Sequence, residues 1–145
     1  MAARKKKRKK AAPRQLELKT LPQLRRKLWT VISQKLGEEW RNDDGTTDCY
    51  TCDRVIPVGG KVDRGHFLPK RLYKAHYFNL DTIRAQCFRC NAPGQGEQLA
   101  FHKGLVEELG AGRVNHILAT KDDTWSEDKQ WYIDFIREVQ DESSN

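Results

Sequence analysis

The chain has 145 residues, a formal net charge of +7 and 37% hydrophobic residues. This leaves room for one domain of moderate size, with part of the chain outside any core. No apolar run approaches the roughly 20 residues that cross a bilayer, and the basic N-terminus lacks the apolar stretch of a secretory signal. These features exclude a membrane-spanning or secreted protein, so we expect a soluble, intracellular one.

The first segment in chain order is a basic arm. Residues 1–14 carry eight Lys or Arg side chains and no acidic one, whereas residues 15–120 carry +4 and residues 121–145 carry −5. Consecutive cations repel one another, so we expect residues 1–19 to be disordered. Cations that neutralise phosphates release counterions, which favours a DNA-binding arm, although a solubilising or targeting tail explains the charge equally well. The consecutive cations are Arg4, Lys5, Lys6, Lys7, Arg8, Lys9 and Lys10.

An amphipathic helix follows at about residues 21–41, with Thr20 as its cap. Its apolar side chains recur at three- and four-residue spacing, and we expect its basic side chains to be mainly solvated. After a break at residues 42–45, residues 55–62 contain two short β-prone runs separated by Gly59-Gly60, which predicts a hairpin with His66 on its second strand. The apolar positions of the helix are Leu21, Leu24, Leu28, Val31, Ile32 and Leu36.

The second half of the chain is predicted to be mainly helical. Residues 71–79 are expected to be irregular. A loop over residues 92–98 then leads into a helix at about Leu99–Leu109 that Gly110 and Gly112 terminate. A last helix is expected from a capping box of Thr124 and Glu127 to about Gln140, with residues 141–145 frayed. Its predicted buried side chains are Trp131, Phe135 and Val139.

Four cysteines form two Cys-x-x-Cys pairs, Cys49 with Cys52 and Cys87 with Cys90. In a reducing compartment such pairs are more often metal ligands than disulfides. Four thiolates leave no open coordination position on zinc, so the predicted zinc is structural.

Between and beside these pairs lie residues suited to phosphodiester hydrolysis, which needs a base for water and a cation for the developing charge. His66 is the candidate base because imidazole is largely neutral near pH 7. Mg²⁺ or Mn²⁺ prefers oxygen ligands, which Asn91, Asp63 or Asp81 could supply. The alternatives are a histidine satisfied within the core and an asparagine that only takes a turn conformation.

The order Cys-x-x-Cys, Gly65-His66, then Cys-x-x-Cys-Asn91 resembles the zinc-stapled HNH, or ββα-metal, nucleases. More narrowly, the motifs resemble the phage recombination family called NinG or Rap, over about residues 24–139. The motifs that carry this resemblance are Asp44-Gly45, Cys49-Tyr50-Thr51-Cys52, Asp63-Arg64-Gly65-His66-Phe67, Phe78-Asn79-Leu80 and Ala85-Gln86-Cys87-Phe88-Arg89-Cys90-Asn91.

The resemblance implies an α+β fold, with one zinc-containing nuclease domain over residues 20–140. In that domain a small zinc-stapled ββα-metal (HNH-like) core is flanked by N- and C-terminal helices. It also implies a structure-specific endonuclease, phage- or prophage-encoded and acting in the bacterial cytoplasm. Its substrate would be branched or double-stranded DNA such as Holliday junctions, cut to leave a 5′-phosphate and a 3′-hydroxyl. A homodimer would supply the two paired incisions that a junction needs.

In that family the histidine equivalent to His66 activates water, and the asparagine equivalent to Asn91 binds the catalytic Mg²⁺ or Mn²⁺. Many related enzymes place a carboxylate or histidine directly before the base, where this chain has Gly65. Asp63 is the nearest carboxylate, but strand alternation points it away from His66 unless Gly65 makes a bulge. The asparagine that orients the base falls at Thr82, and Asp81 or Asn79 are alternatives. Candidate DNA contacts outside the arm are Arg64, Lys70, Arg71, Arg84 and Arg89.

Two other functions fit parts of the sequence. A zinc-stabilised protein that binds junctions without cutting them explains the arm and the cysteines, but not the joint presence of Gly-His and Cys-Asn. An RNA-binding zinc ribbon fits the arm, but the chain lacks an obvious exposed aromatic platform for bases.

Overall fold

The computed structural model describes residues 13–145. The chain forms two compact units. The described part of the first, here called the helical unit, comprises residues 13–35 and 127–145, and the second, the central unit, is Leu36–Ser126. None of the helices in the described range is long and apolar enough to cross a membrane. The cations at positions 4–10 lie outside the described residues.

The fold mixes helices with two small antiparallel sheets, so the predicted α+β class is confirmed. The helices are α1 Pro13–Glu17, α2 Leu21–Glu39, α3 Phe88–Asn91, α4 Gln98–Leu109, α5 Ala111–Ala119 and α6 Lys129–Glu142. The strands are β1 Thr47–Asp48, β2 Val55–Ile56, β3 Asp63–His66 and β4 Ile83–Gln86, and Lys74–His76 and Leu80–Thr82 form 3₁₀ turns.

Helix α2 forms where the apolar spacing predicts it. Thr20 and Gln23 make reciprocal capping bonds, since the Gln23 N–H donates to Thr20 Oγ1 over 3.4 Å and the Thr20 N–H donates to Gln23 Oε1 over 2.9 Å. The buried stripe includes Leu24, Leu28 and Ile32. Helix α1 lies inside the segment predicted to be disordered, and its Leu16 is buried.

Helices α2 and α6 run parallel within the helical unit. Arg25 near the start of α2 pairs with Glu127 just before α6, and Lys35 Nζ lies 3.0 Å from Glu142 Oε2 at the other end. The Lys129 ammonium also donates to the Glu17 carbonyl over 2.6 Å. Parallel helices cannot be joined by a tight turn, and here the chain between them forms the whole central unit.

The start and the buried face of α6 differ from the prediction. Asp128 caps the helix, because its Oδ1 accepts from the Gln130 N–H over 2.9 Å, so the capping box of Thr124 and Glu127 is wrong. The buried face is shifted by about one residue, and Trp131 and Phe135 are only half-buried. Residues 141 and 142, predicted to be frayed, still belong to the helix. The buried side chains of α6 are Tyr132, Ile133, Ile136 and Val139.

The predicted hairpin over residues 55–62 is wrong. Val55 and Ile56 pair with Asp48 and Thr47, across the first Cys-x-x-Cys turn. The Cys49 N–H donates to the Arg54 carbonyl over 2.9 Å and closes that turn, which brings β2 back onto β1.

Strand β3 pairs with β4 instead, in a continuous antiparallel register from Asp63 opposite Gln86 to His66 opposite Ile83. His66 therefore lies on a strand, as predicted, but in a different sheet. The long connection over residues 67–82 is irregular apart from its two 3₁₀ turns, in agreement with the expectation for residues 71–79.

Helices α4 and α5 pack together in the central unit. Gly110, with φ +88°, ends α4 as predicted, but Gly112 lies inside α5, a helix that the glycines led us to miss. The buried cluster that these helices share consists of Phe67, Leu68, Phe101, Leu105, Val114 and Ile117.

Candidate metal and catalytic site

The four cysteines meet at one point of the central unit. Cys49 follows β1, and Cys52 lies in the turn to β2. Cys87 is the N-cap of α3, and Cys90 lies within that helix. Their Sγ atoms all lie within 4.8 Å of one another, and those of Cys52 and Cys87 are 3.9 Å apart. Tetrahedral zinc with Zn–S bonds of about 2.3 Å places its sulfurs about 3.8 Å apart. The four cysteines therefore fit a zinc ion.

Hydrogen bonds and burial set different pKa values for these thiols. Burial raises the pKa of Cys49, but the Cys87 N–H, which donates to Cys49 Sγ over 3.3 Å, and bonds from Thr51 outweigh it and lower that pKa to about 6. Burial raises the pKa of Cys90 to about 12. Cys90 would thus need a bound cation to be a thiolate at neutral pH.

The cysteine cluster is attached directly to the sheet that carries His66. The N–H of Tyr50, between Cys49 and Cys52, donates to the Ala85 carbonyl of β4 over 2.8 Å. Because β4 pairs with β3, a metal held by the cysteines would fix the strand on which His66 lies.

His66 is half-buried at the end of β3. Its Nε2 lies 3.1 Å from the Tyr77 carbonyl oxygen, and the two rings are 5.5 Å apart. Burial lowers the pKa of His66 below its usual value, and the nearby Lys70 charge lowers it further, against the hydrogen bonds to the Tyr77 and Arg64 backbone. The imidazole is therefore held mainly in its neutral, basic form at pH 7.

Asn91 and Asp63 are brought together, although they are 28 positions apart in the sequence. Asn91 Nδ2 donates to Asp63 Oδ2 over 3.3 Å, and Lys61 Nζ lies 3.2 Å from the other carboxylate oxygen. The continuous register of β3 and β4 means that Gly65 makes no bulge, so Asp63 and His66 project from opposite faces of the strand.

Gln86 is the residue of this site that the sequence analysis missed. It is fully buried, and its Nε2 donates to Thr51 Oγ1 and to the Gly96 carbonyl, each over 2.9 Å. Its Oε1 has no hydrogen-bond partner among residues 13–145. A polar residue directly before a cysteine pair, at the end of a strand that includes Ile83 and Ala85, was the only signal available.

The side chain of Gln86 occupies the place where a side chain at position 65 would begin. A Cβ added to Gly65 would lie 2.5 Å from the Gln86 Cδ atom and 2.8 Å from its Cγ atom. These distances are shorter than real Cβ contacts allow. Any other residue at position 65 would therefore force the Gln86 side chain to move.

The residues considered for orienting the base have other partners. The Thr82 hydroxyl donates to the Asn79 carbonyl over 2.8 Å, and the Asn79 amide bonds to Nδ1 of His76 over 2.9 Å. Asp81 accepts from the Arg113 guanidinium. These contacts order the connection between β3 and β4. The Tyr77 carbonyl, in contrast, lies at the His66 ring.

The candidate DNA-contacting side chains differ in solvent exposure. Arg84 donates to Glu108 and to the Leu80 and Ile83 carbonyls, and its side chain is only 11% exposed. Arg64 is half-buried, with its guanidinium against the Trp40 ring. In contrast, the other three folded-region candidates, Lys70, Arg71 and Arg89, are exposed.

Comparison with known proteins identifies the family. The family model described as bacteriophage lambda NinG protein matches residues 1–144. A search of curated proteins and a search of solved structures gave no match. The matched range includes the cysteine cluster, His66 and Asn91, and it covers all but the last residue. The chain therefore belongs to the bacteriophage lambda NinG family.

Proposed function

We propose that this protein is a metal-dependent endonuclease that hydrolyses phosphodiester bonds in branched DNA during phage recombination. The proposal depends most on the contact between Asn91 and Asp63. Asp63 begins the strand that ends at His66. This contact brings two oxygen-bearing side chains together near a cysteine cluster that fits zinc, and the neutral imidazole of His66 lies at the end of the same strand, on its other face.

His66 would act as the general base. If its Nε2–H donates to the Tyr77 carbonyl, the lone pair lies on Nδ1, which would take a proton from the attacking water. The Tyr77 carbonyl would also stabilise the imidazolium that results. The low pKa of His66 keeps the ring ready for this role at neutral pH.

Asn91 and Asp63 would hold the divalent ion, Mg²⁺ or Mn²⁺, through their side-chain oxygens. Carboxylate and amide oxygens are the ligands that these hard cations prefer. A bound ion would supply positive charge to the scissile phosphate and to the leaving oxygen. The cysteines would take no part in this chemistry, since a tetrathiolate zinc has no open position.

The exposed cations Lys70, Arg71 and Arg89 would guide the phosphate backbone toward His66. Lys70 is the best placed of them, because its charge already affects the pKa of His66. Arg84 and Arg64 are tied to protein groups and would contribute to the fold instead. The basic residues 4–10 would add binding that depends steeply on salt.

The second candidate is a junction-binding protein that does not cut. The observation that favours it is the position of Asp63, which projects from the face of β3 opposite His66, while Gly65 offers no carboxylate. This candidate keeps the structural zinc, the basic arm and the partners proposed above. It differs in assigning no water activation to His66.

Cleavage of a labelled four-way junction and of a matched linear duplex tests the two candidates. The reactions contain Mg²⁺, Mn²⁺ or EDTA, with wild type beside His66→Ala, Asn91→Ala and a control, His116→Ala, on the exposed face of α5. The endonuclease proposal expects metal-dependent cutting of the junction that the first two substitutions abolish and the control retains, with binding unchanged. Binding without cutting under every divalent ion would establish the second candidate.

A further inference from the structure

We infer that Gln86 is a third ligand of the catalytic divalent cation, with its side-chain Oε1 binding beside the oxygens of Asp63 and Asn91. The inference rests on the proposed function for the presence of such a cation. Gln86 itself is indicated by its burial, its unpaired oxygen and its place in the sheet.

The Gln86 oxygen is oriented by the other half of its own amide group. Both N–H bonds of Nε2 are used, one to Thr51 Oγ1 and one to the Gly96 carbonyl, so the amide cannot rotate without losing them. This fixes Oε1 on the side of Gly65, where it has no hydrogen-bond donor among the described residues. A buried polar atom without a partner in a native fold commonly marks an ion or a water.

The pairing of the strands places Gln86 with the other ligands. Gln86 lies directly opposite Asp63, and cross-strand partners project from the same face of a sheet. Asn91 reaches Asp63 from α3 and donates to its carboxylate. Three oxygen-bearing side chains, from β3, β4 and α3, are thus available on one side of the sheet.

The absence of a side chain at position 65 is what makes this arrangement possible. Gly65 lies on the same face as Asp63 and Gln86, two positions along β3. Because it has no Cβ, the Gln86 amide can fill the space that a ligand on residue 65 would use. A neutral amide oxygen would then stand in for a carboxylate at this position, directly before His66.

Manganese binding distinguishes a ligand from a residue that only supports the fold. Titration calorimetry with Mn²⁺ compares zinc-loaded wild type with Gln86→Glu, Gln86→Met and the control Gln98→Glu, which adds the same charge at an exposed position. If Gln86 is a ligand, the two substitutions change the Mn²⁺ affinity in opposite directions. Gln86→Glu raises it about tenfold and Gln86→Met lowers it about tenfold, while the control changes little.

Thermal unfolding provides a second measurement of the same effect. Without Mn²⁺ the buried charge of Gln86→Glu destabilises the protein. Because this variant should bind Mn²⁺ more tightly than wild type, added Mn²⁺ should raise its Tm by more than it raises that of wild type, and the Tm of Gln86→Met by less. If both Gln86 substitutions weaken Mn²⁺ binding, or neither changes it, Gln86 is not a ligand and the inference is overturned.

A measurement on wild type covers the case in which the variants do not fold. In labelled protein, adding Mg²⁺ should shift the Gln86 side-chain carbonyl ¹³C resonance together with that of Asn91. A shift at Asn91 with none at Gln86 overturns the inference and leaves the proposed function intact. Absence of any Mg²⁺ or Mn²⁺ binding overturns both, and metal binding through Gln86 without DNA cleavage overturns the proposed function alone.

Discussion

Asn91, the residue directly after the last cysteine, donates a hydrogen bond from Nδ2 to Oδ2 of Asp63 over 3.3 Å. The bond leaves the amide oxygen of Asn91 for a cation and orders the carboxylate beside it. We therefore expect Asn91→Ala and Asp63→Ala each to lower the cleavage rate by about 100-fold or more, because the ion loses an oxygen ligand.

The rates are measured on a four-way junction at saturating Mg²⁺, with junction affinity determined in parallel. Loss of cleavage with unchanged junction affinity, partly restored by higher Mn²⁺ concentrations, assigns both residues to metal binding. If higher Mn²⁺ concentrations restore no activity to either variant while zinc content and Tm stay normal, the ligand assignment is wrong.

Cleavage should depend on pH through His66. The folded protein holds the pKa of His66 below its usual value of 6.5, chiefly through burial. A general base works only when unprotonated, so the rate should be constant near neutral pH and fall as the pH drops through this lowered pKa. We expect the midpoint of the acid limb below pH 6.5. A midpoint above 6.5 in kcat/KM, measured with saturating metal, would contradict the assignment of His66.

Zinc removal should unfold the part of the central unit built on the cysteines. Cys49, Cys87 and Cys90 are buried together with Ile56, and this small cluster has few other apolar contacts. Metal binding by such sites supplies folding free energy directly. A strong chelator, or Cys90→Ser, should therefore raise amide hydrogen exchange in β1, β2 and α3. One bound zinc per chain is expected by elemental analysis, and unchanged exchange after its removal would refute the structural role.

Arg84 is expected to stabilise the fold rather than bind phosphate. It donates to both Glu108 oxygens and to two backbone carbonyls, and it lies over the Tyr50 ring at 5.5 Å. Arg84→Ala should lower the free energy of unfolding by about 1–3 kcal/mol because the part-buried Leu80 and Ile83 carbonyls lose their donor. Junction affinity should stay near that of wild type.

Arg89→Ala provides the matched comparison for Arg84. Arg89 is exposed on α3, so its removal should weaken junction binding without lowering the Tm. The assignment of Arg84 fails if urea unfolding shows Arg84→Ala as stable as wild type while its DNA affinity falls. The assignment of Arg89 fails if Arg89→Ala binds the junction as tightly as wild type.

The basic arm can be tested without disturbing the helical unit. Deleting residues 2–10 removes seven cations and leaves α1, with its buried Leu16, in place. If the arm binds phosphates, affinity should fall and the slope of log Kd against log salt should become shallower by up to about six. An unchanged slope, measured by fluorescence anisotropy over a range of salt, would leave the arm with no role in DNA binding.

The parts of the structure that follow from local sequence were predictable. The spacing of Cys49 with Cys52 and of Cys87 with Cys90 predicted the cluster, and apolar periodicity predicted α2. The position of Asn91 directly after the last cysteine made it a candidate oxygen ligand, and the family resemblance added the expected role in binding the catalytic ion.

The parts that depend on non-local packing were not predictable. Strand β2 pairs across the cysteine turn because the Cys49–Arg54 bond closes it, which the Gly-Gly pattern does not reveal. Helix α5 forms despite Gly112 because burial of Val114 and Ile117 outweighs low helix propensity. The role of Gln86 depends on its contact with Gly65 on the neighbouring strand, and nothing in its local sequence encodes that.

The shared space of Gly65 and Gln86 has a consequence for how this site can change in evolution. A carboxylate cannot be introduced at position 65 while Gln86 keeps its place, and a small residue at position 86 leaves a void beside Gly65. The two positions are therefore expected to show strong epistasis, in which each single substitution is harmful and the pair is tolerated. Lineages that carry a ligand before the base and lineages that carry glycine there would then be separated by a single-substitution intermediate that is less fit than either.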